Sequence, residues 1–201
     1  MEQGSQEWFD ARCGVVTASR VADVCAKTKS GWGAGRLNYQ AQIIAERLTG
    51  NVAESFSSSA MQWGTDTEPQ ARAGYEFLND ATVVEVGFVT HPSIEKTGAS
   101  PDGLVGDDGL VEIKCPNTAT HIDTLIKQRV PPKYLTQMQW QMACTGRDWC
   151  DFVSFDPRMP DGMDMFASRV ARDDARIIEL EGIVAEFLKE TAAKIETLKG
   201  L

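Results

Sequence analysis

Two carboxylates and a lysine stand close together in the segments Ser100-Pro101-Asp102 and Glu112-Ile113-Lys114, with the second acid ten positions after the first. Alternate side chains of a strand share a face, so Glu112 and Lys114 project the same way. A hairpin over 98–114, turning at Asp107-Asp108-Gly109, brings Asp102 beside Glu112. Neighbouring carboxylates repel unless a cation sits between them. A hard divalent ion such as Mg²⁺, with Mn²⁺ as a substitute, suits an all-oxygen set of Asp102, Glu112, the Ile113 carbonyl and water. Lys114 at that edge could lower the pKa of a metal-bound water, orient it, or neutralise charge on a reacting phosphate. This is equipment for phosphodiester hydrolysis. The competing reading is a salt-bridged hairpin in which Asp102 serves only the turn.

The elements that must hold these groups follow from periodicity. Residues 5–12 read as a short helix, and 18–26 as a second one capped by Thr17 or Ser19. The Gly- and Ser-containing stretch 28–36 reads as a loop. Helical spacing resumes at Tyr39, Ile43, Ile44 and Leu48, with Gly50 as its C-terminal cap, and 55–59 (SFSSS) reads as a linker. A long helix is expected over 60–78, with Trp63, Ala71, Tyr75 and Leu78 on one stripe and Pro69 inside it. The β-branched run 82–91 reads as a strand, 134–145 as a helix, and 149–157 and 163–171 as strands. An amphipathic helix is expected from 174 to 198, with Ile178, Ile183, Phe187, Ile195 and Leu198 among its apolar positions. The stretch 117–133 has no anchor. This order fits an α/β fold in which one central mixed sheet is flanked by helices.

Composition narrows the function classes. The 201 residues carry 20 basic and 29 acidic side chains, a net charge of −9, which argues against a uniformly basic nucleic-acid coat. A local basic cleft remains open. Five cysteines without a C-x-x-C pair argue against a disulfide framework and a zinc site, and suit a reduced, cytoplasmic setting. No apolar stretch has the length of a membrane span, and no signal-peptide core is visible, so no membrane partner is expected.

The order of five motifs resembles the phage lambda-type exonucleases, the YqaJ-like viral recombinases within the PD-(D/E)xK nuclease superfamily. They are W-x3-R-x-G-V-x-T-A-S (Trp8 to Ser19), W-G-x3-E-x2-A-R (Trp63 to Arg72), S-P-D-G-L (100–104), E-I-K-C-P (112–116) and Y-x2-Q-x-Q (Tyr134 to Gln139). Asp156-Pro157-Arg158-Met159 follows, and the likeness spans about residues 5 to 195. It implies one nuclease domain over 1–201 that digests double-stranded DNA from 5′ to 3′, releases mononucleotides and leaves a 3′ single strand for recombination. Asp102 and Glu112 would hold the metal, two ions by analogy, with the Ile113 carbonyl as a third ligand and Lys114 as the catalytic lysine. Glu68 would support the metal region and Gln137 would lie beside the site. Arg12, Ser19 and Ser100 match a pocket for the 5′-terminal phosphate. A homotrimeric ring and a single-strand annealing protein are the partners implied.

Other residues rest on their own chemistry. Met61 could wedge between end bases, against the ordinary role of packing. Lys29 sits with Lys27, Arg36 and Trp32 in a basic loop, and Lys127, Arg129 and Lys133 form a second basic run; phosphate tracking competes with simple solvation. Tyr134 matches the family tyrosine but also suits a core edge. An endonuclease of the same superfamily, or a DNA-binding protein with a decayed nuclease fold, remain the alternatives. The surplus acids are expected on outer surfaces such as Glu179, Glu181, Glu186 and Glu190 of the last helix.

Overall fold

The computed structural model describes residues 1–29, 31–53 and 58–201. In chain order the first elements are α1 (Gln6–Arg12), β1 (Val16–Thr17), a 3₁₀ turn (Ala18–Arg20), α2 (Val21–Val24), β2 (Lys27–Thr28), β3 (Gly31–Trp32) and α3 (Ala34–Thr49). Then come α4 (Ser59–Asn79), β4 (Val83–Val84), β5 (Val89–Thr90), β6 (Thr97–Ala99), β7 (Gly103–Val105) and β8 (Gly109–Lys114). The chain ends with α5 (Thr118–Lys127), α6 (Pro132–Thr145), β9 (Trp149–Phe155), β10 (Met165–Ala171) and α7 (Asp174–Lys199).

The central sheet is mixed and five-stranded, in the order β10-β9-β8-β7-β4. Strands β8 and β9 are parallel, and the other neighbours are antiparallel. Period-two alternation sorts the side chains. Val111 and Ile113 of β8 and Val153 and Phe155 of β9 pack against Ala71 and Tyr75 of α4. Leu110, Cys150 and Phe152 face the other way, onto Met138 and Met142 of α6 and Ile177 of α7. Glu112 and Lys114 therefore emerge on the α6 side.

A second sheet was not foreseen. It joins β1, β6 and β5, with β1 and β6 parallel and Val16 opposite Thr97. The run at 82–91 does not form one strand: Val83–Val84 edge the large sheet and Val89–Thr90 edge the small one. Because β1 and β6 run in the same direction, Ser19 and Ser100, which follow them, leave at the same end. The small sheet thus ties the N-terminal motif to the catalytic hairpin.

Four further expectations change. The loop expected at 28–36 is a two-stranded ribbon, β2 with β3, followed by the start of α3. Arg36 is not a free basic residue: it is 1% exposed, pairs with Glu190 at 2.9 Å, and stacks on Trp32 at 3.9 Å. Most of the stretch 117–133 is α5, capped by Asn117, whose side chain accepts the Thr120 N–H at 2.9 Å. The buried face of α7 is set by Ile177, Leu180, Val184, Phe187 and Ile195, whereas Ile178 and Leu198 are exposed, as is Leu78 on α4. The linker expected at 55–59 lies largely outside the described residues; Ser58 caps α4 by accepting the Met61 N–H at 3.2 Å. All five cysteines are unpaired, and no described helix is long and apolar enough to cross a membrane.

One buried network locks α4 to the sheet. The Tyr75 hydroxyl donates to Asp151 Oδ2 at 2.7 Å, and the Arg169 guanidinium donates to both Asp151 oxygens at 2.8 and 2.9 Å. Asp151→Ala strips a buried hydroxyl of its acceptor and leaves Arg169 unpaired. We expect a loss of about 2 kcal/mol in urea unfolding, chiefly from the orphaned hydroxyl, because the half-exposed Arg169 is hydrated. Tyr75→Phe should cost only about 1 kcal/mol, because the ion pair survives.

Candidate active site

Asp102 follows β6 in the turn leading into β7, and Glu112 lies one step along from the Gly103–Val111 pairing of the hairpin. Asp102 Oδ2 accepts the Ile113 N–H at 2.7 Å, so the acid braces the hairpin as well as facing the site. Lys114 Nζ lies 3.8 Å from Asp102 Oδ2 and in direct contact with Glu112 Oε1. Glu112 is fully buried, and two amides of α6 hold it: Gln137 donates to Oε1 and Gln141 to Oε2, each at 2.6 Å. Gln141 was missed in the sequence. The signal was available, because residues 137 and 141 are one helical turn apart and share a face.

Glu68 reaches this region from α4. Its carboxylate is bound by Arg72 at 2.7 Å, and Arg72 also binds Glu85 at 2.7 Å. Burial and the negative charge of Asp102 push the Glu68 carboxyl up to about 7, against the pull of Arg72 and Lys114. Burial likewise pushes Glu112 up to about 7; Lys114 opposes this and Asp102 adds to it. Burial pulls the Lys114 ammonium down, but Glu112 and Asp102 outweigh it and the net shift is upward. Burial, with Glu68 nearby, raises the Cys115 thiol to about 12, which removes it as a nucleophile.

A cleft of about 180 Å³ adjoins these groups, lined by Trp8, Arg12, Thr17, Ser19, Ser100, Asp102 and Gln137 among others. The three residues assigned to the phosphate pocket thus share one cavity with Asp102 and Gln137. Arg12, at the end of α1, lies 3.7 Å over the Trp8 ring. It has no carboxylate within ion-pair distance among the described residues, and burial lowers its pKa, partly offset by Tyr39 and Glu46. Trp8 Nε1 donates to Ser100 Oγ at 2.9 Å, which leaves the Ser100 proton free to be donated elsewhere. Ser19 is exposed, with Oγ 3.3 Å from Thr17 Oγ1. The helix beside it is a 3₁₀ turn and four residues of α2, too short for its dipole to assist an anion, so Ser19 offers its hydroxyl alone.

The residues assigned to DNA contact are less closely gathered. Tyr134 stacks on Phe152, with ring centroids 5.3 Å apart, and Lys114 Nζ lies 5.7 Å from its ring centre. It is both a core-edge residue and a neighbour of the lysine. Met61 is 56% exposed on the first turn of α4, which excludes an ordinary packing role. Lys29 is exposed in the β2–β3 turn. Arg158 of the Asp156-Pro157-Arg158-Met159 motif forks onto Asp156 at 2.7 and 2.9 Å and stacks 4.4 Å over Trp63, joining the end of β9 to α4.

Does this donor set fit a hard divalent cation? Among the described residues no three His, Cys, Asp or Glu side chains form a ready cage. Yet Asp102 and Glu112 share one ammonium, and burial, with crowding by Asp102 added to it, raises both Glu68 and Glu112. An added cation would relieve that crowding, and the donors are all oxygen, so the residues fit.

The sequence profile of the YqaJ-like viral recombinase domain matches residues 7–148. The chain belongs to this family. Its fold superposes on an alkaline exonuclease (LHK-Exo) from Laribacter hongkongensis with a TM-score of 0.90 and 56% identity, covering 97% of this chain and 96% of that one. A structure of LHK-Exo in complex with dAMP gives 0.91 at the same identity and coverage. A phage-related exonuclease from Haemophilus somnus 129PT shares the fold at 16% identity, with a TM-score of 0.75 over 92% of this chain and 96% of that one. The chain is also 26% identical over 168 residues to the uncharacterized protein R354 of Acanthamoeba polyphaga mimivirus; the match takes in 76% of this chain but only 29% of that protein's length. Family membership and these exonuclease relatives imply a nuclease.

Proposed function

We propose that this chain is a metal-dependent exonuclease acting on double-stranded DNA ends from 5′ to 3′, releasing 5′-mononucleotides and leaving a 3′ single strand for annealing. One observation carries the reading: Arg12, Ser19 and Ser100 share a cleft with Asp102 and Gln137, so a terminal phosphate held there would lie in the same cleft as the hydrolytic groups. The relative solved with dAMP holds a mononucleotide, which supports it.

Asp102, Glu112 and the Ile113 carbonyl would hold Mg²⁺, or Mn²⁺ in its place, with a second ion by family analogy. The ion when bound supplies a Lewis acid and an acidified water. Gln137 keeps Glu112 Oε1 oriented, and Glu68 supports the region through water. Lys114, freed from the carboxylates, presents its ammonium to the scissile phosphate. Arg12 forks onto the 5′ phosphate while Ser100 donates its hydroxyl proton. Each cleavage exposes a new 5′ phosphate, which draws the strand forward by one nucleotide. Met61, Lys29 and Tyr134 are assigned to the duplex around this cleft. The whole of 1–201 acts as one nuclease domain in the cytoplasm, as a homotrimeric ring with a single-strand annealing partner.

The test is digestion of linear duplexes bearing 5′-phosphate or 5′-hydroxyl ends, in Mg²⁺ or EDTA. Metal-dependent digestion favouring the 5′-phosphate is expected. Efficient cutting of covalently closed circular duplex would instead make the chain an endonuclease.

The raised carboxylates give a pH prediction. Glu68 and Glu112 titrate near 7 in the folded chain, above their ordinary value of 4.5, so the unfolded chain ionises first. Their contribution to metal-free stability is full below about 4.5 and is lost as pH rises through about 7. A bound cation favours the ionised forms. Millimolar Mg²⁺ should therefore raise the melting temperature more at pH 8 than at pH 6, by several degrees. Equal gains at both pH values would refute the carboxylate site.

A further inference from the structure

Helix α6 carries glutamines at 137, 139 and 141, and they face two ways. Gln139 serves the β10–α7 junction, donating to the Ala171 carbonyl and accepting the Asp173 N–H, each at 2.9 Å. Gln137 and Gln141 both reach Glu112, one per oxygen. Their surroundings differ. Gln137 lines the cleft, whereas Gln141 is 0% exposed behind it. The Gln141 carbonyl faces the Cys150 thiol on β9, at 4.0 Å. A carboxylate only accepts, so the Gln141 amide must present its N–H to Glu112, and the thiol proton opposite agrees with that orientation.

We propose that Gln141 is a positioning residue. It fixes the plane of the Glu112 carboxylate and leaves that side chain one open edge for a hard divalent cation. A carboxylate has about four lone-pair sites, and two amides and one ammonium already occupy three of them. Lys114 is 28% exposed and can swing away when a cation arrives; Gln141 has no such freedom. Amide chemistry matters too. An Arg or Lys at this position would neutralise Glu112 and compete with the cation. An amide holds the carboxylate and leaves its charge in place. This inference rests on the reading of Glu112 as a metal ligand.

The test uses Mn²⁺ alone, without DNA, with free ion counted by electron paramagnetic resonance. Gln141→Met keeps the volume and removes the donor. Loss of such a supporting contact commonly weakens metal binding about 10- to 100-fold, and about tenfold weaker Mn²⁺ binding is expected here in protein that melts cooperatively. Mn²⁺ affinity within twofold of wild type would overturn the proposal. If Gln141→Met does not fold, wild-type protein decides the matter by nuclear magnetic resonance. The Gln141 side-chain amide signals should shift as Mg²⁺ is added, and static signals at saturation would overturn it. Glu112→Gln separates the two readings. If that variant binds Mn²⁺ like wild type, Glu112 is no ligand and both fall. If it binds weakly while Gln141→Met binds normally, only the positioning role falls.

Discussion

Lys114→Met is expected to slow digestion of linear duplex DNA about 10³-fold, while DNA-end binding in Ca²⁺ stays within a few-fold of wild type. The size follows from where the ammonium sits. It touches Glu112 and lies 3.8 Å from Asp102, and those acids hold its pKa above the ordinary lysine value despite burial. In the metal-free site the lysine therefore carries its proton. Once a cation takes over the two acids, that ammonium is free to serve as a cation and hydrogen-bond donor at the reacting phosphate. Methionine retains the stem and removes both functions. Lys114→Arg keeps the charge but presents a longer planar fork, so it should restore less than a tenth of wild-type activity. Rates would be followed by release of a labelled nucleotide. A Lys114→Met enzyme within tenfold of wild type would remove Lys114 from the mechanism.

The same lysine shows how legible the site was. Period-two alternation in Glu112-Ile113-Lys114 needs only a strand, and the Asp107–Gly109 turn supplies its partner, so the central triad follows from local rules. Gly106, with φ of 55°, in fact opens that turn. The phosphate cleft could be read only through family motifs. Its walls come from α1, β1 and the end of β6, and what joins them is a parallel pairing of two- and three-residue strands, too short to leave a periodic signal. The 82–91 run misled for a related reason. Its β-branched composition suits any strand, and nothing local says that two sheets will share it. On α7 the neighbours Ile177 and Ile178 are equally apolar, and tertiary packing alone decides that Ile177 goes inside. The placement of charge was legible, its pairing only in part. None of the four carboxylates expected on the outer surface of the last helix is buried, but two carry ion pairs: Glu179 with Arg176, and Glu190 with the buried Arg36, which spacing along α7 alone does not show.

Against so much pairing, Arg12 stands apart, and the second large effect is expected there. Arg12→Ala should abolish the preference for 5′-phosphate over 5′-hydroxyl ends. In wild type that preference should reach roughly 10- to 100-fold, since a charge-assisted hydrogen bond is worth about 1.5–3 kcal/mol. The guanidinium is partly buried, stacked on Trp8 and without a carboxylate in ion-pair distance, so its donors are oriented and open to an incoming anion. An arrangement of that kind costs folding stability and gains affinity for an incoming anion. Two measurements then separate stability from binding. Without DNA, Arg12→Ala should melt within about 2 °C of wild type, because it removes a partly buried cation along with its stacking on Trp8. With an oligonucleotide bearing a 5′ phosphate, wild type should gain melting temperature and the variant should not. Arg12→Lys keeps the charge without the fork and should retain only part of the preference. Trp8→Phe keeps a ring under the guanidinium but releases Ser100, and should reduce the preference a few-fold. If the wild-type enzyme digests both kinds of end at one rate, the cleft does not read the 5′ phosphate, and the direction of digestion needs another cause.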